Sequence, residues 1–524
     1  MPSIFQNPIL SGFYPDPSVC RVEDDYYLVT STFAYFPGVP VFHSKDLVNW
    51  RQIGNILDRP SQLNLAGATH SGGIFAPTIR YHEGTFYMIT TNVSHGGNFI
   101  VKSKNPAGPW SDPYFIKNAD GIDPSLFFDG DGKAYCMGTR ARSEGAKYYG
   151  DNEIWLQEIN LEKMELVGDS YSLWNGALRD VVWPEGPHLY KYNDYYYLLI
   201  AEAGTAHEHA VTVARSKSIF GPYEGNRCNP ILTHRHLGIH YPVVNVGHGD
   251  LVQTQNGEWW LVVLASRTYG GYYRNLGRET FLATVEWENG WPVVNPGKGM
   301  LLNEQTVPCL PPAPVPKWPS DEMFNSDRLS FRWIYLRNPD MSAYSLTERK
   351  GCLRLYLRPE RITDLVSPTF VGIRQTDMNF DAETEFEFEP KADYETCGIC
   401  LIQSNNYHYR LEYTQYNDKK CIHLLRCEGG TETLMAKEEF SSATIFLKIC
   451  ASEQDLFFWY GESDKQYRLI ASNVNGRILS PDIAGGFVGT CIGMYASSNG
   501  TESGNFADFH RFSYRPADTD PLLI

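Results

Sequence analysis

Apolar and polar positions alternate along most of this chain in short runs, broken by clusters of Gly, Asp and Asn, and helical spacing is nearly absent. Up to about Val294 the runs repeat a plan. Each unit opens on a short phrase rich in Pro or Gly, continues as a strand, turns through Asp, Asn or Gly, and returns as an aromatic strand. Tyr14-Pro15-Asp16-Pro17-Ser18 leads to Asp24-Asp25-Tyr26-Tyr27-Leu28, and Phe75-Ala76-Pro77-Thr78 to Glu83-Gly84-Thr85-Phe86-Tyr87. Gly121-Ile122-Asp123-Pro124-Ser125, Trp183-Pro184-Glu185-Gly186-Pro187 and Gly247-His248-Gly249-Asp250-Leu251 open three more. A second phrase recurs out of phase, at His43-Ser44-Lys45-Asp46, Lys102-Ser103-Lys104-Asn105 and Arg215-Ser216-Lys217-Ser218, and reads as the outer hairpin of equivalent sheets.

Five sheet units at roughly 50–60-residue spacing predict a radial repeat, an all-β five-bladed propeller. In such a fold the first strand of every blade starts near the axis, so residues far apart in sequence meet in one funnel. Asp16, Asp123, Glu185 and His248 read as the same phase of four units. Residues 307–320 carry so many prolines that helix and central strand are excluded, which predicts a stiff connector. The propeller is therefore assigned to 1–306. Alternating strands beyond it, such as Thr384-Glu385-Phe386-Glu387-Phe388 and Tyr407-His408-Tyr409-Arg410-Leu411, predict a β-sandwich of jelly-roll type over 321–524.

The chain has 524 residues, long enough for two domains, and a 14% aromatic share that suits both strands and flat sugar-binding faces. Its net charge of −16 argues against nucleic acid or an anionic membrane as partner. The first residues show no signal-peptide pattern, and no apolar run reaches bilayer length. The 11 cysteines are scattered without framework spacing, so a cytoplasmic protein with reduced thiols is expected. Cys397-Gly398-Ile399-Cys400 lacks a second pair and reads as strand.

Glu185 lies among Trp, Pro and Gly. A carboxyl in such a setting tends to keep its proton, as a general acid must. For Glu185, Asp16 or Asp123 alone, a strand-end or turn carboxylate is the simpler reading. Their coincidence in phase favours catalysis. Glycosidic cleavage needs a proton donor and a carboxylate that attacks or activates water, and a third acid can keep the donor protonated.

Phe13-Tyr14-Pro15-Asp16-Pro17-Ser18, Gly121-Ile122-Asp123-Pro124-Ser125 and Trp183-Pro184-Glu185-Gly186-Pro187 together resemble the three signature segments of glycoside hydrolase family 43, in its two-domain β-xylosidase and α-L-arabinofuranosidase branch. The resemblance covers essentially the whole chain. It implies a five-bladed propeller and an inverting mechanism, with Asp16 as general base, Glu185 as general acid and Asp123 raising and orienting Glu185. Base and acid would stand roughly 6.5–9.5 Å apart. Arg278 matches the family's active-site arginine and is expected to bind a sugar hydroxyl and Asp123 together. Phe33 and Phe75 match walls of the terminal-sugar pocket, where many relatives carry Trp at the second position. Phe506 is the candidate for a sandwich-domain aromatic that closes the pocket. His248 has two readings, a calcium ligand through water or a neutral imidazole bonded to a catalytic carboxylate; no other cofactor is expected.

The implied activity is an exo-glycosidase that removes terminal pentoses from xylo-oligosaccharides, β-xylose first and α-L-arabinofuranose close behind. A dedicated arabinofuranosidase and a non-catalytic carbohydrate-binding propeller are the rivals, and a homo-oligomer is left open. Asp129-Gly130-Asp131-Gly132-Lys133 imitates a calcium loop but lacks its closing Glu, and reads as a turn. His207-Glu208-His209 lacks zinc-peptidase spacing and is expected at the funnel's rim.

Overall fold

The computed structural model describes residues 3–178 and 180–517. Five four-stranded antiparallel sheets follow one another in sequence order. Blade 1 holds Ser18–Val22, Asp25–Val29, Gly38–Ser44 and Arg51–Leu57. The innermost strands of blades 2 to 5 are Thr78–His82, Ile122–Phe128, Glu185–Tyr192 and Val243–Gln253. These five strands pack on one another in a ring about the axis. The recurring serine phrase sits at the outer turn of blades 1, 2 and 4. There Ser44, Ser103 and Ser216 each accept a backbone N–H from two residues on, which is why the phrase repeats.

The ring is closed by its own first residues. Ile4–Gln6 pairs antiparallel with Glu304–Thr306, and the Asn7 amide bonds Leu282 N and O and the Leu302 carbonyl. Residues 307–320 form no strand and run along the propeller, where Asp46 accepts the Ala313 N–H. Beyond them, two antiparallel sheets enclose a core that includes Leu353, Phe386, Leu411, Leu447, Met494 and Phe512. The sandwich is locked to blade 1 and its following loop. Tyr335–Leu336 pairs with Tyr35–Phe36, and the buried Arg337 donates to the Ala68 and Val366 carbonyls and to Asn405.

Alternation along the innermost strands stacks the axis in layers. Ser18, Thr78, Ser125, His188 and Asp250 are all buried and form one layer. Asp250 accepts from Ser18, Arg80 and Tyr190, and Arg80 also bonds His188, so three blades plus Asp250's own are cross-linked there. Two residues earlier in each blade stand Asp16, Ala76, Asp123, Gly186 and His248. Four of these, Asp16, Asp123, Gly186 and His248, share a left-handed backbone with φ between 50° and 57°. Glu185 is therefore not in phase with Asp16, Asp123 and His248, as the sequence suggested, but one residue ahead. A register shift between Glu185 and His188, matching that between Ile122 and Ser125, re-aims its side chain toward the axis.

Candidate active site

Asp16, Asp123, Glu185, His248 and Arg278 line one cavity of about 520 Å³ over the axial layer just described. The backbone builds it at some expense, since left-handed Asp and His cost energy and persist where the surroundings over-determine them. Gly186 shows the constraint directly. A Cβ added there would lie 2.9 Å from the His248 ring, at φ +57°, so only glycine fits between Glu185 and the imidazole.

Each carboxyl has a distinct environment. Asp16 accepts Arg278 Nη1–H at 2.8 Å, Arg278 Nη2–H at 3.4 Å and the Ser31 hydroxyl at 2.6 Å. Burial would push its pKa up, but Arg278, His248 and Ser31 outweigh burial and hold the carboxyl below its ordinary value. Asp123 accepts the Gly186 N–H at 3.2 Å. Burial raises it, His248 opposes, and the charge of Asp16 adds to the rise. Glu185 is raised well above the usual range, by burial first and then by the charges of Asp123 and Asp16. The two raised acids titrate as a pair that holds a proton near neutral pH, and Glu185, whose carboxylate accepts no hydrogen bond among the described residues, is assigned that proton. The cavity thus presents an ionised carboxylate at Asp16 and a protonated acid at Glu185.

Arg278 corrects one expectation. It grips Asp16, not Asp123, and also reaches the Thr205 hydroxyl at 3.2 Å. Its guanidinium lies 5.5 Å from the rings of both Phe33 and Phe487. Phe33 and Phe75 stand at the cavity as expected, and with Phe487 they form a three-ring wall with centroids 5.7 to 6.1 Å apart. Phe506 does not close the pocket. It begins a sandwich strand, packs on Tyr356 under Arg354, and is 36% exposed. The sandwich's contribution is Phe487, held over the cavity because its N–H donates to Ser71 and because Arg274 pairs with Asp482 nearby. A Cβ at Gly486 would fall 2.2 Å from Ser71 Oγ, so that glycine permits the latch.

Trp183 and Thr205 also line the cavity, beyond the residues singled out in the sequence. Trp183, two residues before Glu185, has a left-handed backbone, and its ring is wedged between Gly150 and Gly204. Thr205 follows Gly204. His209, expected at the rim, is buried in the wall with its ring against the Cα of Gly247. The Asp129 turn is a turn indeed: its carboxylate is taken by Lys191, Tyr196 and the Gly130 N–H.

His248 Nδ1 lies 3.9 Å from Asp16 Oδ1 and 3.9 Å from Asp123 Oδ2, too far for a hydrogen bond, so it acts on both carboxyls through space. A calcium ion does not fit this donor set. It would want about six to eight oxygens, whereas Asp16 is already engaged by Arg278 and Ser31, and the guanidinium itself opposes a second cation. Among the described residues no three His, Cys, Asp or Glu side chains are grouped to hold a metal.

Comparison with known proteins agrees with this geometry. Residues 5–292 match the model of glycosyl hydrolases family 43, and residues 321–515 match the β-xylosidase C-terminal concanavalin A-like domain. A xylosidase/arabinosidase of Butyrivibrio fibrisolvens is 51% identical over 520 residues, covering 97% of this chain and 99% of the relative. A non-reducing end α-L-arabinofuranosidase of Bacteroides ovatus is 40% identical, covering 98% and 95%. The crystal structure of a xylan β-1,4-xylosidase from Bacillus halodurans superposes with a TM-score of 0.91 at 37% identity, covering 98% of this chain and all of that one. With an ionised and a protonated carboxyl set on one axis and both domains matched, this chain belongs to glycoside hydrolase family 43.

Proposed function

We propose that this enzyme removes single pentoses from the non-reducing ends of xylo-oligosaccharides, taking β-1,4-xylose and also α-L-arabinofuranose, with inversion at the anomeric carbon. One observation carries the mechanism: Asp16 held ionised and Glu185 held protonated in a single aromatic-walled cavity. Asp16 takes a proton from water as the water attacks the anomeric carbon, while Glu185 protonates the departing oxygen. Asp16 is tied down by Arg278 and Ser31, which suits a base acting through water better than a nucleophile. Two relatives' names, a xylosidase/arabinosidase and an arabinofuranosidase, support acceptance of both sugars. Phe75, a smaller face than Trp, leaves room for a second ring shape. Eleven free cysteines, nine of them buried, support a cytoplasmic setting in which short imported oligosaccharides are the substrate. No step needs a metal.

The test is turnover of 4-nitrophenyl β-xyloside and 4-nitrophenyl α-L-arabinofuranoside by the wild type, Asp16→Ala and Glu185→Ala, with the product anomer followed by NMR. Loss of either group should slow the reaction about 10²–10⁴-fold or more. Full activity in either variant, or a retained anomer, defeats the assignment.

A further inference from the structure

A cavity that releases one terminal sugar must let the rest of the substrate leave by its open end. Beneath Asp16, Asp123 and His248 lies the axial layer of Ser18, Thr78, Ser125, His188 and Asp250, whose residues are 0 to 4% exposed, leaving no passage for a sugar chain. At the other end stands Tyr149. It lines the same cavity and yet is 85% exposed, which sets its ring at the mouth. A single exposed tyrosine calls for no explanation by itself. This one is held from both sides. Its loop joins the Ala134–Ala141 and Asn152–Asn160 strands of blade 3. The preceding Tyr148 donates its hydroxyl to the Val181 carbonyl at 2.8 Å, and the carbonyl of the following Gly150 accepts the Trp183 N–H at 2.7 Å. A Cβ at Gly150 would lie 3.0 Å from Trp183 Nε1, so glycine lets the indole close on the loop. The Tyr149 ring meets that indole edge to face, with centroids 5.3 Å apart and planes at 87°. Among the described residues Tyr149 has no hydrogen bond.

Glu185 follows Trp183 by two residues, so the loop that carries Tyr149 and the segment that carries the acid are fastened together. In the reaction described above, the glycosidic bond breaks toward its oxygen, which takes the Glu185 proton while Asp16 takes one from the attacking water. The sugar bearing that oxygen then departs through the mouth, where Tyr149 offers an open aromatic face. A xylopyranose ring carries its hydroxyls around its edge and C–H bonds on its faces, which suits it to such a surface. We propose that Tyr149 is a substrate-binding residue, the ring on which the leaving sugar packs as its oxygen is protonated, so that leaving groups with a sugar ring are selected over those without one. This rests on the pentose-releasing activity proposed above and adds to it a specificity element on the leaving-group side. The contact takes apolar surface of both partners out of water. Because the loop is tied to the acid's segment, the same contact also places the leaving oxygen for its proton.

The experiment compares leaving groups. Xylobiose and methyl β-xyloside share the terminal xylose, and both need the Glu185 proton, but only xylobiose carries a ring to the mouth. An arabinofuranosyl xylobiose and methyl α-L-arabinofuranoside make the same comparison for the second sugar. Wild type, Tyr149→Ala and Tyr149→Phe are assayed on both pairs, with melting temperatures measured alongside. In Tyr149→Ala the ratio of kcat/KM on the ring-bearing substrate to that on the methyl glycoside should fall about 5- to 50-fold. Tyr149→Phe should keep most of the wild-type ratio. Both variants should melt close to the wild type, since the side chain is exposed and unbonded. An unchanged ratio in Tyr149→Ala overturns the proposal, whether the rates hold or fall together; a joint fall marks a ring that only supports its loop. A Tyr149→Phe ratio as low as that of Tyr149→Ala also overturns it, since the hydroxyl and not the ring would then be at work. A wild type inert on all four glycosides overturns the parent reading and this one with it; an active wild type with an unchanged ratio in Tyr149→Ala overturns this one alone.

Discussion

Arg278→Met tests the division of charge on which the site depends. The substitution keeps an unbranched apolar stem between Phe33 and Phe487 and removes the guanidinium from Asp16. Asp16 is 5% exposed and would be left with the Ser31 hydroxyl as its only bonded side chain. Stripping one partner from a buried ion pair costs about 3–5 kcal/mol at neutral pH, less whatever the carboxyl recovers by taking a proton. For a domain of this size that is a fall of about 5–10 °C in melting temperature. The sign of the pH dependence follows. In the wild type the folded pKa of Asp16 lies below its unfolded value, so its contribution is present above the unfolded value and is lost as pH falls through the folded one. In Arg278→Met the folded pKa rises instead, so the stability gap between the two proteins should narrow on acidification from pH 7 to about pH 4. Activity reports the same group: the acid limb of kcat/KM against pH should move upward, with kcat/KM at neutral pH down by about 10²-fold or more. Scanning calorimetry of wild type, Asp16→Asn, Arg278→Met and the double variant gives the coupling. A coupling under about 0.5 kcal/mol, the additivity expected of independent sites, together with an unmoved acid limb, would refute the charge assignment.

Asp123→Asn removes a charge that raises Glu185, so the basic limb of kcat/KM should shift to lower pH; a limb that stays in place shows that Asp123 does not tune the acid. Glu185→Gln should lose more rate on xylobiose, whose leaving oxygen needs a proton, than on a dinitrophenyl xyloside, whose leaving group does not; equal losses on the two argue against Glu185 as proton donor. Phe487→Ala opens the three-ring wall from the sandwich side and should raise KM for both nitrophenyl glycosides several-fold, with the melting temperature close to wild type because the side chain is already 37% exposed; steady-state kinetics with an unchanged KM would remove Phe487 from the pocket.

Repetition made the fold legible. Five similar phrases announce five blades, and alternation in Phe380–Phe388 announces a sandwich strand with every second residue buried. The three carboxyls were legible for the same reason, because two of them sit in one repeated phrase. What the sequence could not carry was the phase of Glu185: the apparent alignment with Asp16 and Asp123 is off by one, and only the register shift at Gly186 brings its carboxyl to the same cavity. Nor could it separate Phe506 from Phe487. Both are aromatics that closely follow a Gly in the sandwich, but the choice depends on which loop reaches Ser71, 416 residues away along the chain. The partner of Arg278 was hidden similarly, since a strand-end arginine has no sequence feature that selects Asp16 over Asp123.

Glycine was the signal available and unread. Gly150 and Gly204 admit Trp183, Gly186 admits His248, Gly247 admits His209, and Gly486 admits the Ser71 latch beneath Phe487. Gly186 and Gly247 lie one residue from the catalytic acid and from His248 in the sequence, yet the ring each one accommodates comes from another segment. A glycine in a strand or turn marks close approach without naming the group that approaches. The site is thus assembled by subtraction as much as by placement. The rings of Trp183, His209 and His248 fill spaces where a methyl group would collide, around the partly buried Glu185. Burial is the first cause of the raised Glu185 carboxyl, so its proton depends on that packing as well as on the neighbouring charges. Replacing Gly204 by alanine, which puts a methyl 2.7 Å from the Trp183 ring, should lower the basic limb of kcat/KM by letting solvent reach Glu185, without touching any ionisable group. A pH profile identical to the wild type's in that variant would show that the charges of Asp123 and Asp16 alone keep Glu185 protonated.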